Sequence, residues 1–173
     1  MSSGSEQHAP ETTDWGEWLA RYAAAFLLFA RQQVHCDADA QDLVQDAVVE
    51  SWQNRPPDGP PPGPGLVFAT IRRRAVDLAR RNNRRAHRET AAQLEAPQIW
   101  FDSRLEDRER AALLQEGMKQ LPEIYRDVLT LKIWGGLTFP EIAEALEIPA
   151  NTASSRYRYG LIELRKWTKD AFA

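Results

Sequence analysis

Residues 55–65, RPPDGPPPGPG, place six prolines and three glycines in eleven positions, and no helix or central strand can run through them. Proline fixes φ at about −65° and lacks the N–H that either element would use. The stretch therefore reads as a stiff loop of polyproline character. On both sides of it apolar residues recur at helical spacing. Trp15, Trp18, Tyr22, Phe26 and Phe29 fall on one face of a first helix, which opens near Asp14 with Glu17 at the spacing of a capping box. A second helix is expected over residues 39–53, with Leu43, Ala47 and either Val44 or Val48 inward and Trp52 at its end. A third, over residues 66–83, turns Phe68, Ile71, Ala75, Leu78 and Ala79 to one side.

Residues 89–107 become acidic, contain Pro97 and lose the periodicity, as a linker does. Beyond them Ala111, Leu114, Met118 and Leu121 stay in helical register, and so do Ile124, Val128 and Leu131 in a helix expected over residues 122–134. Gly135 and Gly136 stop that helix. No useful β alternation occurs. The predicted fold class is all-α: two small helical domains joined by a flexible linker. Their expected limits are residues 14–88 and 108–170, after a polar tail at residues 1–13 expected to be disordered. A chain of 173 residues with 43% hydrophobic side chains is large enough for packed cores.

Residues 137–166 carry the sharpest pattern, a helix, a tight turn and a second, basic helix. Thr138 can cap a helix that turns Ile142, Ala143 and Leu146 inward, and Glu141 completes a capping box. Pro149 forces a turn. Asn151 is the expected cap of the next helix, in which Ala153, Tyr157, Gly160 and Leu164 point inward. Ser154, Ser155, Arg156, Arg158 and Tyr159 then face outward, a small cationic surface suited to a DNA major groove.

A net charge of −3 is not that of a nucleic-acid binder as a whole, so any DNA contact must come from segregated charge. That segregation is present. Residues 72–88 hold eight arginines against the single anion Asp77, a local net of +7, and Arg73, Arg80, Arg81 and Arg84 gather opposite the apolar side at about 100° per residue. Such a patch can neutralise phosphates along a groove. The second helix has the opposite character, with Asp42, Gln45, Asp46 and Glu50 around Val49, and suits docking of a protein partner.

Enzyme chemistry finds little support. His8, His35 and His87 are far apart, and no HExxH, P-loop or GxSxG motif occurs. No metal or cofactor is expected: Asp42 and Asp46 share a helix face, but no further oxygen ligand is placed beside them. The single cysteine, Cys36, fits a reducing cytoplasm. The longest apolar run, residues 22–30, is too short to span a bilayer. Residues 1–13 lack the features of a signal peptide.

The segments DADAQDLVQDAVVESWQ at residues 37–53 and FATIRRRAVDLARRNNRR at residues 68–85 resemble region two of bacterial sigma factors. Residues 120–166 resemble their region four. The layout, two regions and a short linker, is similar to the extracytoplasmic-function group of the sigma-70 family. That resemblance implies a factor that binds core RNA polymerase and directs promoter-specific transcription initiation in the cytoplasm. It implies that Asp42, Gln45, Asp46 and Glu50 grip the polymerase. Arg73, Arg80, Arg81 and Arg84 would meet the minus-ten element. Ser154, Ser155, Arg156, Arg158 and Tyr159 would meet the minus-thirty-five element. Members of the group are often held by an anti-sigma partner. Two other readings stay open: a DNA-binding regulator that never engages polymerase, and a sigma mimic whose DNA faces stay idle. Phe68, the only aromatic of residues 66–88, points inward, so melting of DNA by base stacking is expected to be weak.

Overall fold

A computed structural model of the chain describes residues 15–86, 98–101 and 108–171, with side chains for 15–83, 98–101 and 108–169. Seven helices occupy them: α1 Trp15–Gln33, α2 Asp37–Gln53, α3 Pro64–Ala86, α4 Arg108–Gln120, α5 Glu123–Ile133, α6 Phe139–Leu146 and α7 Ala150–Ala171. The tail at residues 1–13 and most of the linker lie outside the described residues.

The aromatic stripe of α1 starts the core. Trp15 and Trp18 stack with centroids 5.0 Å apart, and Trp15 also meets Trp52 at the end of α2. Phe26 and Phe29 are fully buried and meet the ring of Phe68 from α3 edge-on, at 4.8 and 5.5 Å. Helix α2 opens at Asp37, two residues earlier than the spacing predicts, because the thiol of Cys36 caps it by accepting from the Asp39 N–H. Asp37 in the first turn suits the positive end of the helix dipole. The guanidinium of Arg31, 2.7 Å away, also holds its carboxyl below the usual range.

Prolines in the 55–65 loop still carry carbonyls that need donors. Arg55 supplies them: its Nη1 donates to the carbonyls of Pro56 and Pro57 at 3.1 Å and of Gly59 at 2.7 Å. Its guanidinium lies 3.5 Å from the centre of the Trp52 ring. Helix α3 then begins at Pro64 rather than at residue 66, since a proline in the first turn forgoes only an N–H that has no partner there.

In the second half, Val128, Leu129 and Leu131 of α5 are buried, whereas Ile124, expected inward, is 47% exposed. Tyr125 takes its place on the α7 side, packing against the buried Gly160. A Cβ on Gly160 would stand 3.1 Å from Leu129 and 3.2 Å from Tyr125, so a larger residue would have to push these neighbours back by a few tenths of an ångström, and glycine suits the close crossing. The capping box of α6 forms as read: Thr138 Oγ1 accepts from the Glu141 N–H, and the Glu141 carboxylate accepts from the Thr138 N–H at 2.7 Å. Those bonds lower the pKa of Glu141. Glu147 ends α6 in a left-handed conformation (φ 55°), turning the chain sharply into α7. Because α7 starts at Ala150, Asn151 lies inside its first turn and is not its cap.

The two helical modules share one core. Phe26, Phe29, Val67, Phe68 and Ile71 of the first are continuous with Val128, Leu131, Leu137 and Ile142 of the second. Polar bonds cross the seam as well. Gln33 Nε2 donates to Asp127 Oδ1 and Thr130 Oγ1 donates to Gln32 Oε1, each at 2.8 Å. The linker is not a bare tether either, because Trp100 is buried against Leu28, Met118, Leu121 and Leu129.

Candidate nucleic-acid and protein interfaces

Helices α2 and α3 form a hairpin whose facing edges carry opposite charge. On α2, Asp42, Gln45 and Asp46 are exposed and Glu50 is half-buried, with Val49 exposed among them. On α3, Arg74 bonds the Asp46 carboxylate at 2.9 Å and Glu50 through Nε at 2.9 Å and Nη2 at 2.8 Å. Arg73 pairs with the other oxygen of Glu50. The acidic set is thus divided. Asp42 and Gln45 look to solvent, while Asp46 and Glu50 also hold α3 in place.

The arginine set is divided in the same way. Arg80 and Arg81 are exposed near the end of α3, Arg80 with the Asp77 carboxylate 3.9 Å away. Arg73, expected with them, sits at the α2 edge and is neutralised by Glu50; helical projection finds the side of α3 but not the neighbour that packs beside it. The side chain of Arg84 lies outside the described residues. Helix α3 also meets α6, and Arg72 and Arg80, together with Arg73 between the two neighbours, line a groove with Glu144 and Glu147. Phe68 is 1% exposed, so α3 offers no aromatic ring for stacking among its described side chains.

Along α7 the outward face runs through Ser154, Arg158 and Arg165. Ser155 and Arg156, expected at its centre, are half-buried and lie at its flanks. Tyr159 is 49% exposed, with the Arg158 guanidinium 5.4 Å from the centre of its ring. Asn151 is exposed in the first turn, where a recognition helix usually contacts base edges. Its amide could bond an adenine edge in two places. Sequence reading assigns this residue to a cap, whereas the structure places it exposed in the first turn of α7.

Asp127 is the one strongly perturbed acid among the described residues. It is 3% exposed at the seam between the modules, and burial pushes its pKa up to about 6. The Gln33 bond and the charges of Arg126 and Arg72 pull it down, and Glu123 pushes it further up. Among the described residues no group of three or more His, Cys, Asp or Glu side chains is gathered for a metal ion. None of their helices is long and apolar enough to cross a membrane.

Residues 16–85 match the family model for sigma-70 region 2, and residues 111–164 match that for sigma-70, region 4. The chain is 29% identical over 156 residues to the RNA polymerase sigma-E factor of Streptomyces avermitilis, covering 90% of this chain and 86% of that protein. It is 30% identical over 132 residues to the ECF RNA polymerase sigma factor SigK of Mycobacterium tuberculosis, covering 73% and 70%. Among solved structures it resembles the sigma factor RpoE of Bartonella quintana, in complex with the anti-sigma factor NepR. The TM-score is 0.65 and the identity 18%, over 90% of this chain and 97% of that one. It also resembles CnrH in complex with the cytosolic domain of CnrY, with a TM-score of 0.60 and 22% identity, over 91% and 88%.

Proposed function

Because the chain belongs to the sigma-70 family of RNA polymerase sigma factors, in its extracytoplasmic-function group, we propose that each of its charged surfaces has one task in promoter-specific transcription initiation. The face of α2 carrying Asp42, Gln45, Asp46 and Glu50 grips core RNA polymerase. Arg80 and Arg81 at the end of α3, with Arg73 and Arg84, meet the minus-ten element. Ser154, Arg158 and Tyr159 on α7, flanked by Ser155 and Arg156, read the minus-thirty-five element, with Asn151 added from the structure. The first task belongs to residues 14–88 and the last to residues 108–170. The protein acts in the cytoplasm as an initiation factor and not as an enzyme. An anti-sigma protein is a proposed further partner, by analogy with the NepR and CnrY complexes.

The observation that carries this reading is the juxtaposition of an acidic helix and an arginine helix in one hairpin, with a helix-turn-helix in the same chain. A regulator that never met polymerase would have no use for the exposed Asp42 and Gln45. The test is run-off transcription by core polymerase with this chain on a pool of randomised promoter templates. Transcripts from a defined subset support the reading, and silence across the pool refutes it.

Two substitutions separate the tasks. Asp46→Arg places a cation on the polymerase-gripping face, and co-elution with core polymerase should fall more than tenfold. The fold should persist, since the Asp46 side chain is 61% exposed and such a surface ion pair contributes only about 0–1 kcal/mol. An unchanged circular-dichroism melt alongside lost co-elution is the expected pair of results. Arg158→Ala should cost about 1–3 kcal/mol of promoter binding and relax preference within the upstream element. Equal losses on specific and random DNA would show that Arg158 contacts phosphate only.

A further inference from the structure

We propose that Glu50 of α2 is a positioning residue for Arg73 of α3, and that Arg73 held in this way reads a guanine edge in the minus-ten element instead of neutralising a phosphate. The proposal rests on the sigma-factor reading above and adds to Glu50 a duty on the DNA side.

Four side chains of alternating charge link the two helices. Arg74 Nη1 donates to Asp46 Oδ2 at 2.9 Å, and the same guanidinium grips one oxygen of Glu50, Oε2, through Nε at 2.9 Å and Nη2 at 2.8 Å. The other oxygen, Oε1, accepts from Arg73 Nη2. Glu50 is therefore anchored before Arg73 reaches it, and its side chain is only 30% exposed. Arg74 has all three nitrogens engaged on protein. Arg73 has one engaged: its Nε and Nη1 have no hydrogen bond among the described residues, and its side chain is 58% exposed.

This arrangement separates Arg73 from a phosphate-neutralising arginine in two ways. First, its charge is cancelled locally, because Asp46 and Glu50 balance Arg73 and Arg74. A phosphate at Arg73 would also meet the Glu50 carboxylate at close range and gain little. A base edge carries no net charge, so the carboxylate does not repel it. Second, the guanidinium is planar and holds its donors in a fixed fork, and a carboxylate bonded to one nitrogen sets that plane before DNA arrives. Less rotamer freedom is then lost on binding. Such a fork fits O6 and N7 of guanine, the acceptor pair that arginine bonds bidentately. Arg81, exposed on the same helix with no ion pair among the described residues, keeps its charge for phosphate.

The test uses holoenzyme, core polymerase with this chain, and a promoter selected from the randomised pool. Each G·C pair of its minus-ten element is replaced in turn by A·T, and binding is measured against salt. At one pair the parent should lose about 5- to 150-fold in affinity. Arg73→Ala and Arg73→Lys, which keeps the charge but not the fork, should both erase that discrimination. Glu50→Ala should lower it at the same pair, and the double variant should discriminate no less than Arg73→Ala alone. Glu50→Gln keeps an acceptor oxygen for Arg73 and should retain at least half of the parent's discrimination, a rescue that separates positioning from mere bracing of the hairpin. The slope of log affinity against log salt should stay at the parent's value in Arg73→Ala and flatten by about 0.9 in Arg81→Ala. Tighter binding of Glu50→Ala to every sequence with a steeper slope would show that Glu50 only masks Arg73, and overturns the proposal. So does full discrimination in Arg73→Lys or Glu50→Ala, a Glu50→Gln variant no better than Glu50→Ala, or a selected minus-ten element built of A·T pairs alone. A parent holoenzyme that prefers no sequence in the pool refutes the sigma reading instead.

Discussion

Phe68→Ala should destabilise the whole chain by about 3–5 kcal/mol, the range for removing a fully buried aromatic from a packed core. Phe68 lies where α1, α3 and the second module converge. Its ring meets Phe26 and Phe29 edge-on and comes within 3.0 Å of where a Cβ on Gly135 would lie. The cavity would therefore open at the shared centre and not within one module. Urea unfolding followed by tryptophan fluorescence and by circular dichroism should show both modules losing stability together. A variant in which only the first module unfolds earlier would show that the two cores are energetically separate.

Asp127→Asn should stabilise the protein near pH 8 by up to about 3 kcal/mol, because each tenfold change in a group's proton affinity between native and unfolded chain is worth about 1.4 kcal/mol. Burial raises the native pKa to about 6 from 3.8, so between those values the native state binds the proton that the unfolded state has lost. The Asp127 contribution is then most favourable below about pH 4, is lost as pH rises toward 6 and is level above it. Gln33 faces the carboxylate from α1, Glu123 and Arg126 come from its own helix, and Arg72 comes from α3. Asparagine keeps an acceptor for Gln33 and removes only the charge. Urea midpoints of both proteins across this range check the claim: the curves should meet near pH 4 and separate above it. Parallel curves would show that the Asp127 carboxyl titrates alike in the native and unfolded chain.

Much of this architecture is legible in the chain. Periodic apolar residues fix the existence of every helix, and Thr138 with Glu141 marks the start of α6 correctly, because those patterns are local. What sequence misses is set by neighbours. Arg73 projects with Arg80 on a helical wheel, yet the carboxylate of Glu50 captures it because α2 lies alongside. Ile124 is in register with Val128, yet α7 approaches on the flank where Tyr125 sits. Cys36 escapes notice as a cap because a thiol is a weak acceptor. Trp100 leaves no periodic trace, since a single anchored residue in an irregular segment makes no pattern. The candidate DNA face on α7 is legible as a helix but shifted in rotation, with Ser155 and Arg156 at the flank and Asn151 brought forward.

The bracing of the proline-rich loop by Arg55 has a mechanical consequence. With three loop carbonyls tied to one guanidinium that itself lies on Trp52, the hinge between α2 and α3 is stiff, and the ion pairs of Arg74 join the helices further along. A tilt of α2 would therefore carry α3 with it as one lever, so that on the reading proposed above a load on the acidic helix is felt at the arginine helix.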